Sequence, residues 1–289
     1  MSTRSATDVT DVSRVETRLR NAPVERGLGM VPARGTAAGG VGERGDGVAL
    51  RAPLHDGVRD AEGHVAPVLV ALLADSGVGY LVYTVAGLVA GAPTVDLRID
   101  HLGLSAPDAT AVLAEFTLLH LDDQVGLGRA DLRDDTGRPL AHALATMALT
   151  GVPDRPGALA GGTGRDGDDF RSGCAPFDPA RLDPADLETD GEDVVFVPGS
   201  SATNLNGTSH GAVLAALAKA AQTRFVARRG SGARPLSDTV DYLRPVPVDT
   251  RVRARSRAVR SGRRFWSVRT ELLLPDDRVA VRATGSGLW

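Results

Sequence analysis

Two segments of the chain carry long apolar runs that are broken mainly by small residues. The first, HVAPVLVALLADSGVGYLVYTV, covers residues 64–85, and the second, HGAVLAALAKAAQTRFVARR, covers residues 210–229. The first run is too long for a single strand, and both place apolar residues at helical spacing, so each predicts a central helix. Pro67 supports a helix start in the first run, because a proline in the first turn loses no hydrogen bond and already has a helical φ.

Shorter strand-like segments surround each predicted helix. In the first half they cover residues 47–54, 94–102, 109–121, 125–134 and 139–151. The sequence DDTGRP between the last two is a hairpin signal, so those two strands are expected to pair antiparallel. The same order returns in the second half, with strand-like segments at residues 193–199, 237–245, 250–260, 264–275 and 278–287, the last two joined by the charged turn PDDR.

This repeated order indicates that one unit was duplicated. GHVAPVLVALLAD (63–75) and GTSHGAVLAALAK (207–219) share a glycine, the helix spacing and an L-A pair. A shift of one residue also matches Val68 and Leu69 to Val213 and Leu214, but the first alignment keeps the loop glycine and the helix together. A period of this length is typical of a duplicated domain and not of a solenoid.

The duplication divides the chain into four parts. Residues 1–46 form an N-terminal arm rich in Gly, Ser, Thr, Arg and Asp, which is expected to lack stable structure in part. Residues 47–151 form the first unit and residues 192–289 the second. Residues 152–191 are dense in Pro, Gly and Asp, as expected of a linker. The predicted fold class is α+β, with a long helix against an antiparallel sheet in each unit.

Composition narrows the classes of function. The 33 basic and 36 acidic residues leave a net charge of −3, which gives no general attraction to nucleic acid or to an anionic membrane. The start, MSTRSATDVTDVSRVE, lacks a basic region followed by an apolar run. We therefore expect a cytoplasmic protein without nucleic-acid or membrane partners. Cys174, the single cysteine, has no disulfide partner and no zinc-binding spacing, and is expected to be a bystander.

The opening of the second helix carries a motif. The segment NLNGTSHGAVLAALAK resembles the motif of PaaI-type thioesterases, Asn-x-x-Gly-x-x-His-Gly-Gly followed nine residues after the histidine by Asp. The matching residues are Asn204, Gly207, His210 and Gly211. Two positions depart, because Ala212 replaces the second glycine and Lys219 stands where the acid is expected. The chain as a whole resembles the tandem, or double, hotdog fold, in which one chain supplies both halves of the usual dimer.

The first copy departs from the motif in the opposite sense. It keeps the acid as Asp75, but Asp60, Ala66 and Pro67 replace the asparagine, the histidine and the glycine. The resemblance implies sites between two hotdog units, with the acid from one unit and the other residues from its partner. One composite site would therefore be complete, formed by Asn204, His210, Gly211 and Asp75, whereas the other, with Lys219 in place of the acid, would be inactive.

The resemblance implies roles for these residues. Free N–H groups at a helix start, near Gly211, suit the oxyanion that forms when a thioester carbonyl is attacked. Asp75 would activate water or attack directly to form an anhydride. His210 and Asn204 would position the thioester or the water. Ser237, at the start of the strand that lines the acyl pocket in that family, would contact substrate or water.

Each of these residues also has a structural interpretation. His210 could be only a helix cap, and Asn204 only a turn residue. Asp75 could be paired, or could face solvent at a boundary. Lys219 could be exposed on the far side of its helix or could pair with Asp60. His64 lies eleven residues before Asp75, which is the wrong spacing for the motif.

One further pattern lies outside the motif. Arginines alternate along one predicted strand and so share a face, at Arg251, Arg253, Arg255 and Arg257. They could meet the phosphates of coenzyme A, although a solvated outer face is the simpler interpretation. A nucleic-acid role is disfavoured, because no aromatic residues are interleaved for base stacking.

Together these patterns predict a thioesterase that hydrolyses an acyl-CoA or acyl-carrier-protein thioester at one composite site, with neither a metal nor a bound cofactor. The alternative is a non-catalytic acyl-CoA-binding or sensing protein that kept the pocket. A hydratase of the same fold is less well supported, because the Asp-x-x-x-x-His pairing on one loop is missing. The resemblance also implies a homo-oligomer of pseudo-dimers.

Overall fold

A computed structural model describes residues 16, 19–33, 47–86, 88, 91–149, 173–230 and 232–289. Its principal helices are α1 (Pro23–Gly27), α2 (Pro67–Val85) and α3 (Gly211–Ala227). The strands of the first half are β1 (Val31–Pro32), β2 (Gly47–Pro53), β3 (Thr94–His101), β4 (Ala111–Leu121), β5 (Val125–Asp134) and β6 (Pro139–Ala148). The strands of the second half are β7 (Thr189–Asp190), β8 (Asp193–Phe196), β9 (Arg234–Tyr242), β10 (Val252–Ser261), β11 (Phe265–Leu273) and β12 (Val279–Leu288).

All of these strands join one antiparallel sheet. Its order is β1-β2-β4-β5-β6-β3-β9-β12-β11-β10-β8-β7, so each half of the sheet is built by one unit. The two halves meet where β3 pairs antiparallel with β9, with Leu97 opposite Val240 and Ile99 opposite Asp238. This pairing leaves no open edge at the centre of the sheet. The sheets of the two units are therefore joined edge to edge.

The two long helices lie side by side on the same face of this sheet, as predicted. α2 is buried along most of its length; Leu69, Leu72 and Leu81 are fully enclosed. A Cβ at Gly77 would lie 1.9 Å from the Phe116 ring, so only glycine lets α2 approach β4 this closely. By length and composition Pro67–Val85 could cross a membrane, but 83% of its apolar window is buried inside the protein, as befits the core helix of a hotdog unit.

The predicted elements agree with the observed ones to within a few residues. The first helix begins at Pro67 and not at residue 64, because Ala66 keeps an extended backbone as the N-cap, with φ −64° and ψ 136°. The strand predicted at 237–245 runs instead from Arg234 to Tyr242. The fold is therefore the double hotdog that the sequence predicts.

Part of the N-terminal arm, residues 19–33, is folded. Leu19, Val24, Leu28 and Met30 are buried in the main core, and β1 pairs with β2. These few apolar residues do not stand out in a polar segment of the sequence, but they build a folded extension of the first unit. Most of the rest of the arm, including residues 1–15 and 34–46, lies outside the described residues.

The linker also contains a packed part. Phe177 and Leu182 are buried, and the Phe177 N–H donates to the Pro23 carbonyl at 2.8 Å. The Arg26 guanidinium donates to the carbonyl of Cys174. The end of the predicted linker thus contains a segment that packs against the N-terminal extension. The prediction for residues 152–172 lies outside the described residues.

Candidate active site

The loops that lead into α2 and α3 share one design. Asn204 Oδ1 accepts from the N–H groups of Asn206 and Thr208, at 2.9 and 3.1 Å. In the first unit Asp60 Oδ1 accepts in the same way from the residues two and four positions later. Gly63 and Gly207 both have positive φ, 83° and 77°, which glycine adopts without strain. The alignment that pairs these two glycines is therefore the right one.

His210 caps α3 and contacts a carboxyl group. Its Nδ1 accepts from the Ala212 N–H at 3.1 Å, while its Nε2 lies 3.0 Å from Glu25 Oε1. Because Nδ1 is an acceptor here, Nε2 carries the proton and donates to Glu25. Burial lowers the pKa of His210, but the charge and hydrogen bond of Glu25, with the charge of Asp75, outweigh it and raise the pKa above 6.5. His210 is therefore a helix cap, and its imidazole also lies between the carboxyl groups of Glu25 and Asp75.

This cap leaves one backbone donor free. Gly211 is the first residue of α3, where an N–H has no acceptor within the helix. Among the described residues its N–H has no other acceptor either. The Ala212 N–H is held by His210, and the Ala212 side chain is fully buried. Alanine is therefore tolerated where the motif has its second glycine, and Gly211 supplies the available N–H.

Asp75 reaches this point from the other unit. Its Oδ1 accepts from the hydroxyls of Thr94 and Tyr242, at 2.8 and 3.3 Å. Its Oδ2 lies 3.9 Å from His210 Nδ1 and accepts no hydrogen bond within the described ranges. Burial raises the pKa of Asp75 above 3.8, although the charge of His210 and both hydroxyls act against the shift. A Cβ at Gly211 would lie 3.0 Å from Oδ2, so glycine keeps the space beside the carboxylate open.

Glu25, on α1, was not anticipated from the sequence. It is 1% exposed, and its Oε2 has no hydrogen-bond partner in the described part of the chain. Burial raises the pKa of Glu25, but the charge and hydrogen bond of His210 more than offset this, so the pKa lies below 4.5. Glu25 does not stand out in the sequence because the arm around it is polar. The available signal of a helix there is a short one, with Pro23 followed by Val24 and Leu28 at helical spacing.

The strand residue that reaches the site is Tyr242 and not Ser237. The Tyr242 hydroxyl lies 3.3 Å from Asp75 Oδ1 and 3.2 Å from the Gly211 carbonyl oxygen. Burial, with the nearby Asp75 charge, raises its pKa well above 10, so it remains a donor. The Ser237 hydroxyl instead meets Ser286 on β12 at 2.9 Å and does not line the cavity. Successive strand residues point to opposite faces, and Ser237 has the wrong parity.

These groups lie at one end of a cavity of about 490 Å³ between α2, α3 and the segment after β9. Its wall is mainly apolar or aromatic, from Tyr80, Tyr83, Pro93, Leu205, Leu214 and Val246. Asn204 also lines it, but its Nδ2 donates to the Thr208 hydroxyl at 2.9 Å. Its amide therefore holds the loop in place. We call the cluster of Asp75, His210, Gly211, Tyr242 and Glu25 the Asp75 junction.

The related place on the other side of the pseudo-twofold axis, the Lys219 junction, is defined by Lys219, Asp238, His101 and Gln222. Lys219 Nζ lies 2.8 Å from Asp238 Oδ2, and His101 Nε2 lies 2.6 Å from the same oxygen. With its amide turned to satisfy both of its polar atoms, Gln222 donates to Asp238 Oδ1 at 3.2 Å. Burial raises the pKa of Asp238, but Lys219 and His101 outweigh this and lower it below 3.8.

Both interpretations of Lys219 were wrong. It is 5% exposed, so it does not face solvent, and it pairs with Asp238 and not with Asp60. The helix start nearby also differs from that of α3. Ala66 makes no side-chain cap, and Pro67 has no N–H at the position of Gly211.

The remaining candidates lie elsewhere. His64 Nδ1 is 3.0 Å from the Ser105 carbonyl oxygen. Arg253 and Arg255 both pair with Asp193, at 3.3 and 3.1 Å, and Arg251 pairs with Asp190. Much of the arginine stripe is thus paired with acids from β7 and β8. Within the described ranges no group of three His, Cys, Asp or Glu side chains is arranged to hold a metal ion.

Comparison with known proteins agrees with this architecture. Residues 200–287 match the family model of the acyl-CoA thioesterase N-terminal domain, a range that contains His210, Gly211 and Tyr242. A comparison with curated proteins gives no significant match.

Three solved structures are similar over most of the chain. A putative thioesterase from Novosphingobium aromaticivorans DSM 12444 is 14% identical, with a TM-score of 0.55, covering 85% of this chain and 96% of its own. A putative oleoyl thioesterase from Lactobacillus plantarum is 14% identical, with a TM-score of 0.57 and coverages of 84% and 96%. An acyl-ACP thioesterase from Bacteroides thetaiotaomicron VPI-5482 is 11% identical, with a TM-score of 0.53 and coverages of 86% and 100%.

At these identities the structural similarities show the fold alone. Together with the family match of the second unit, they confirm the resemblance to tandem hotdog thioesterases that the sequence predicts.

Proposed function

We propose that the protein hydrolyses an acyl thioester at the Asp75 junction. One observation carries this proposal: a carboxylate oxygen of the buried Asp75 on α2, without a hydrogen bond in the described part of the chain, lies beside Gly211, whose N–H at the start of α3 is free, and both residues line a mainly apolar cavity. Thioester hydrolysis needs these parts, namely an acyl-binding wall, an oxyanion donor and a base or nucleophile. They come from opposite units, as the complementary half-motifs predict.

Gly211 would stabilise the oxyanion. The carbonyl oxygen gains negative charge when the thioester carbon is attacked, and a fixed N–H at a helix N-terminus stabilises that charge without reorganisation. A single donor of this kind contributes on the order of 10²-fold or more to turnover. The missing Cβ of Gly211 gives the substrate room to approach.

Asp75 would supply the attack. In one route its Oδ2 takes a proton from water, the water oxygen bonds to the carbonyl carbon, and the thiol leaves as the C–S bond breaks. In the other route Oδ2 itself bonds to the carbonyl carbon, the C–S bond breaks and the thiolate leaves, and water then hydrolyses the anhydride to the free acid and the Asp75 carboxylate. Both routes need the ionised carboxylate. His210, at the start of α3, and Asn204, acting through the loop, are positioning residues in this proposal.

The apolar wall suits an acyl chain, and the thiol carrier would be coenzyme A or an acyl carrier protein. No metal or bound cofactor enters the proposed reaction; coenzyme A takes part only as a portion of the substrate. We also propose a cytoplasmic location and a homo-oligomer of pseudo-dimers, which light scattering would test against a single 30 kDa particle.

The test is a screen of acyl-CoA chain lengths and acyl carrier proteins with detection of the released thiol. The proposal expects steady multiple turnover that Asp75→Asn removes. Tight binding of an acyl-CoA without turnover would instead support the alternative, a non-catalytic acyl-CoA-binding or sensing protein. Neither turnover nor binding with any thioester would contradict both.

A further inference from the structure

Glu25 lies outside the sequence of both hotdog units, yet it contacts His210 of the Asp75 junction. Its Oε1 lies 3.0 Å from His210 Nε2, across 185 positions of sequence. Its side chain is almost fully enclosed, so water does not screen this contact. His210 is thereby held between two carboxyl groups, Glu25 on its Nε2 side and Asp75 on its Nδ1 side.

The segment that carries Glu25 is built to fix its position. Pro23 opens α1, and its carbonyl accepts from the Phe177 N–H at 2.8 Å. Val24 and Leu28 are fully buried on the neighbouring turns. A Cβ at Gly27 would lie 1.8 Å from the Phe177 carbonyl oxygen, so α1 and the linker segment touch backbone to backbone. The carboxyl group therefore has little freedom to leave His210.

Packing alone does not explain a carboxyl group at this place. Burying an ionised group is costly unless its hydrogen bonds are satisfied, and an apolar residue of similar size serves stability as well or better. Glu25 keeps one oxygen, Oε2, without a hydrogen bond of normal geometry in the described part of the chain, although the nearby Ser76 hydroxyl helps to lower the pKa of Glu25. Buried groups in this state are concentrated at functional sites.

We propose that Glu25 is a positioning residue of the hydrolytic site, the third member of a Glu25–His210–Asp75 array. The inference rests on the proposed thioesterase function. By accepting from Nε2, Glu25 keeps the imidazole proton on that nitrogen and leaves Nδ1 for the Ala212 N–H. This fixes the start of α3, and with it the direction of the Gly211 N–H. Glu25 also makes the imidazole more basic, beside the carboxylate of Asp75.

The second unit has a matching segment that lacks this function. Pro179–Leu182 contacts Asp56–Val58, much as α1 contacts Ser200–Ala202 in the opposite unit. Each short helix opens with a proline, and the residue two positions after it is Glu25 in one and Arg181 in the other. Arg181 lies over the Phe196 ring at 4.9 Å and donates to the Val197 carbonyl. The acid is therefore present only on the side with a histidine to receive it.

The test compares Glu25→Gln with Glu16→Gln, the same change at an exposed position of the same N-terminal segment. Two quantities are measured in the full chain: kcat/KM against pH for the best acyl-CoA, and the titration of the His210 imidazole by NMR. The ionisable groups that act on His210 are Glu25 and Asp75, and Tyr242 is hydrogen-bonded to Asp75. Only the first is changed.

Glu25→Gln should lower kcat/KM about 10-fold or more, because a neutral amide oxygen accepts from Nε2 more weakly than a carboxylate, and should lower the pKa of His210, because the negative charge is lost. Glu16→Gln should change neither quantity. Glu25→Asp keeps the negative charge but moves it away from His210, because its side chain is shorter. Its kcat/KM and its His210 pKa should therefore lie between those of the wild type and of Glu25→Gln.

An unchanged pKa of His210 and an unchanged pH profile in either Glu25 variant would overturn the inference, even if Glu25→Gln failed to fold. A double substitution adds a second criterion. Because Glu25 is proposed to act through His210, Glu25→Gln should cost little further activity once His210 is alanine. Full additivity of the two losses would contradict this. A wild-type protein without thioesterase activity would refute the proposed function, whereas the His210 titration would still test the contact itself.

Discussion

The Asp75 junction and the Lys219 junction occupy related places in one duplicated scaffold, but they differ in whether their carboxylate oxygens have hydrogen-bond partners. In the Lys219 junction every carboxylate oxygen of Asp238 has a partner, from Lys219, His101 or Gln222. In the Asp75 junction one carboxylate oxygen of Asp75 and one of Glu25 have none within the described residues. The first arrangement is a closed structural network, whereas the second leaves two carboxylate oxygens unbonded, as the proposed function requires.

Under the proposed function, one copy of the fused pair has lost its chemistry without losing its fold. Pro67 removes the N–H that Gly211 provides, and Ala66 removes the imidazole. Lys219 then replaces the acid, and a buried lysine needs a carboxylate, which β9 supplies as Asp238. A satisfied ion pair therefore stands where the Asp75 junction has a carboxylate with one oxygen that accepts no hydrogen bond from the described residues.

The largest expected effect on turnover belongs to Asp75→Asn. The change keeps the volume of the side chain but removes the base or nucleophile, so turnover should fall by about 10²-fold or more. Asp60→Asn is the matched control, because Asn204 already makes the same turn in the other unit; it should retain activity. Steady-state kinetics and a folded circular dichroism spectrum check both. Full activity of Asp75→Asn would contradict the proposed mechanism.

Gly211→Ala should have the next largest effect. The added Cβ would lie 3.0 Å from Asp75 Oδ2 and 3.4 Å from the Tyr242 ring, in the space where the thioester must approach. We expect kcat/KM to fall about 10-fold or more through the displaced oxyanion donor. Pro67→Ala changes the related position of the other junction and should leave kcat/KM as in the wild type. Equal losses in the two variants would argue for two working sites.

The pH dependence should also separate the two junctions. Asp75 must be ionised to act, and burial raises its pKa above the ordinary value of 3.8. Activity should therefore be present above this raised pKa and should be lost as the pH falls through it. Asp238 has a lowered pKa, so its contribution to stability is present above 3.8 and is lost only at lower pH. As the pH is lowered, thioesterase activity should therefore be lost at a higher pH than the contribution of Asp238 to the stability of the fold. Parallel thiol-release and unfolding measurements check the order.

The smallest effect on turnover is expected for Lys219→Met. The variant leaves Asp238 buried beside His101 without its cation, which should destabilise the fold by about 3–5 kcal/mol. At a temperature where it remains folded, kcat/KM should be close to that of the wild type. Denaturant unfolding and steady-state kinetics on the same sample test this. A loss of turnover equal to that of Asp75→Asn would contradict the assignment of a single active junction.

Much of the fold followed from local patterns. The helical spacing of the two apolar runs and the repeated order of strands predict the two units and nearly all of their boundaries, because burial of one face imposes a period on each element. The complementary half-motifs also placed Asp75 with His210 and Gly211 in one expected site. The structure does bring these three residues together, although their roles stay predictions.

What local patterns do not contain is which distant segment fills the space beside a given side chain. Ser237 had the plausible chemistry, but strand parity and the pairing of β9 bring Tyr242 to Asp75 instead. Glu25 lies in a polar arm without a long periodic signal, and only its packing against the linker and α3 makes it part of the site. The sequence by itself therefore determined the two units and their complementary motifs. The partners of Lys219, His210 and Asp75 were decided by tertiary packing, because a buried charge must find its partner wherever the fold places one.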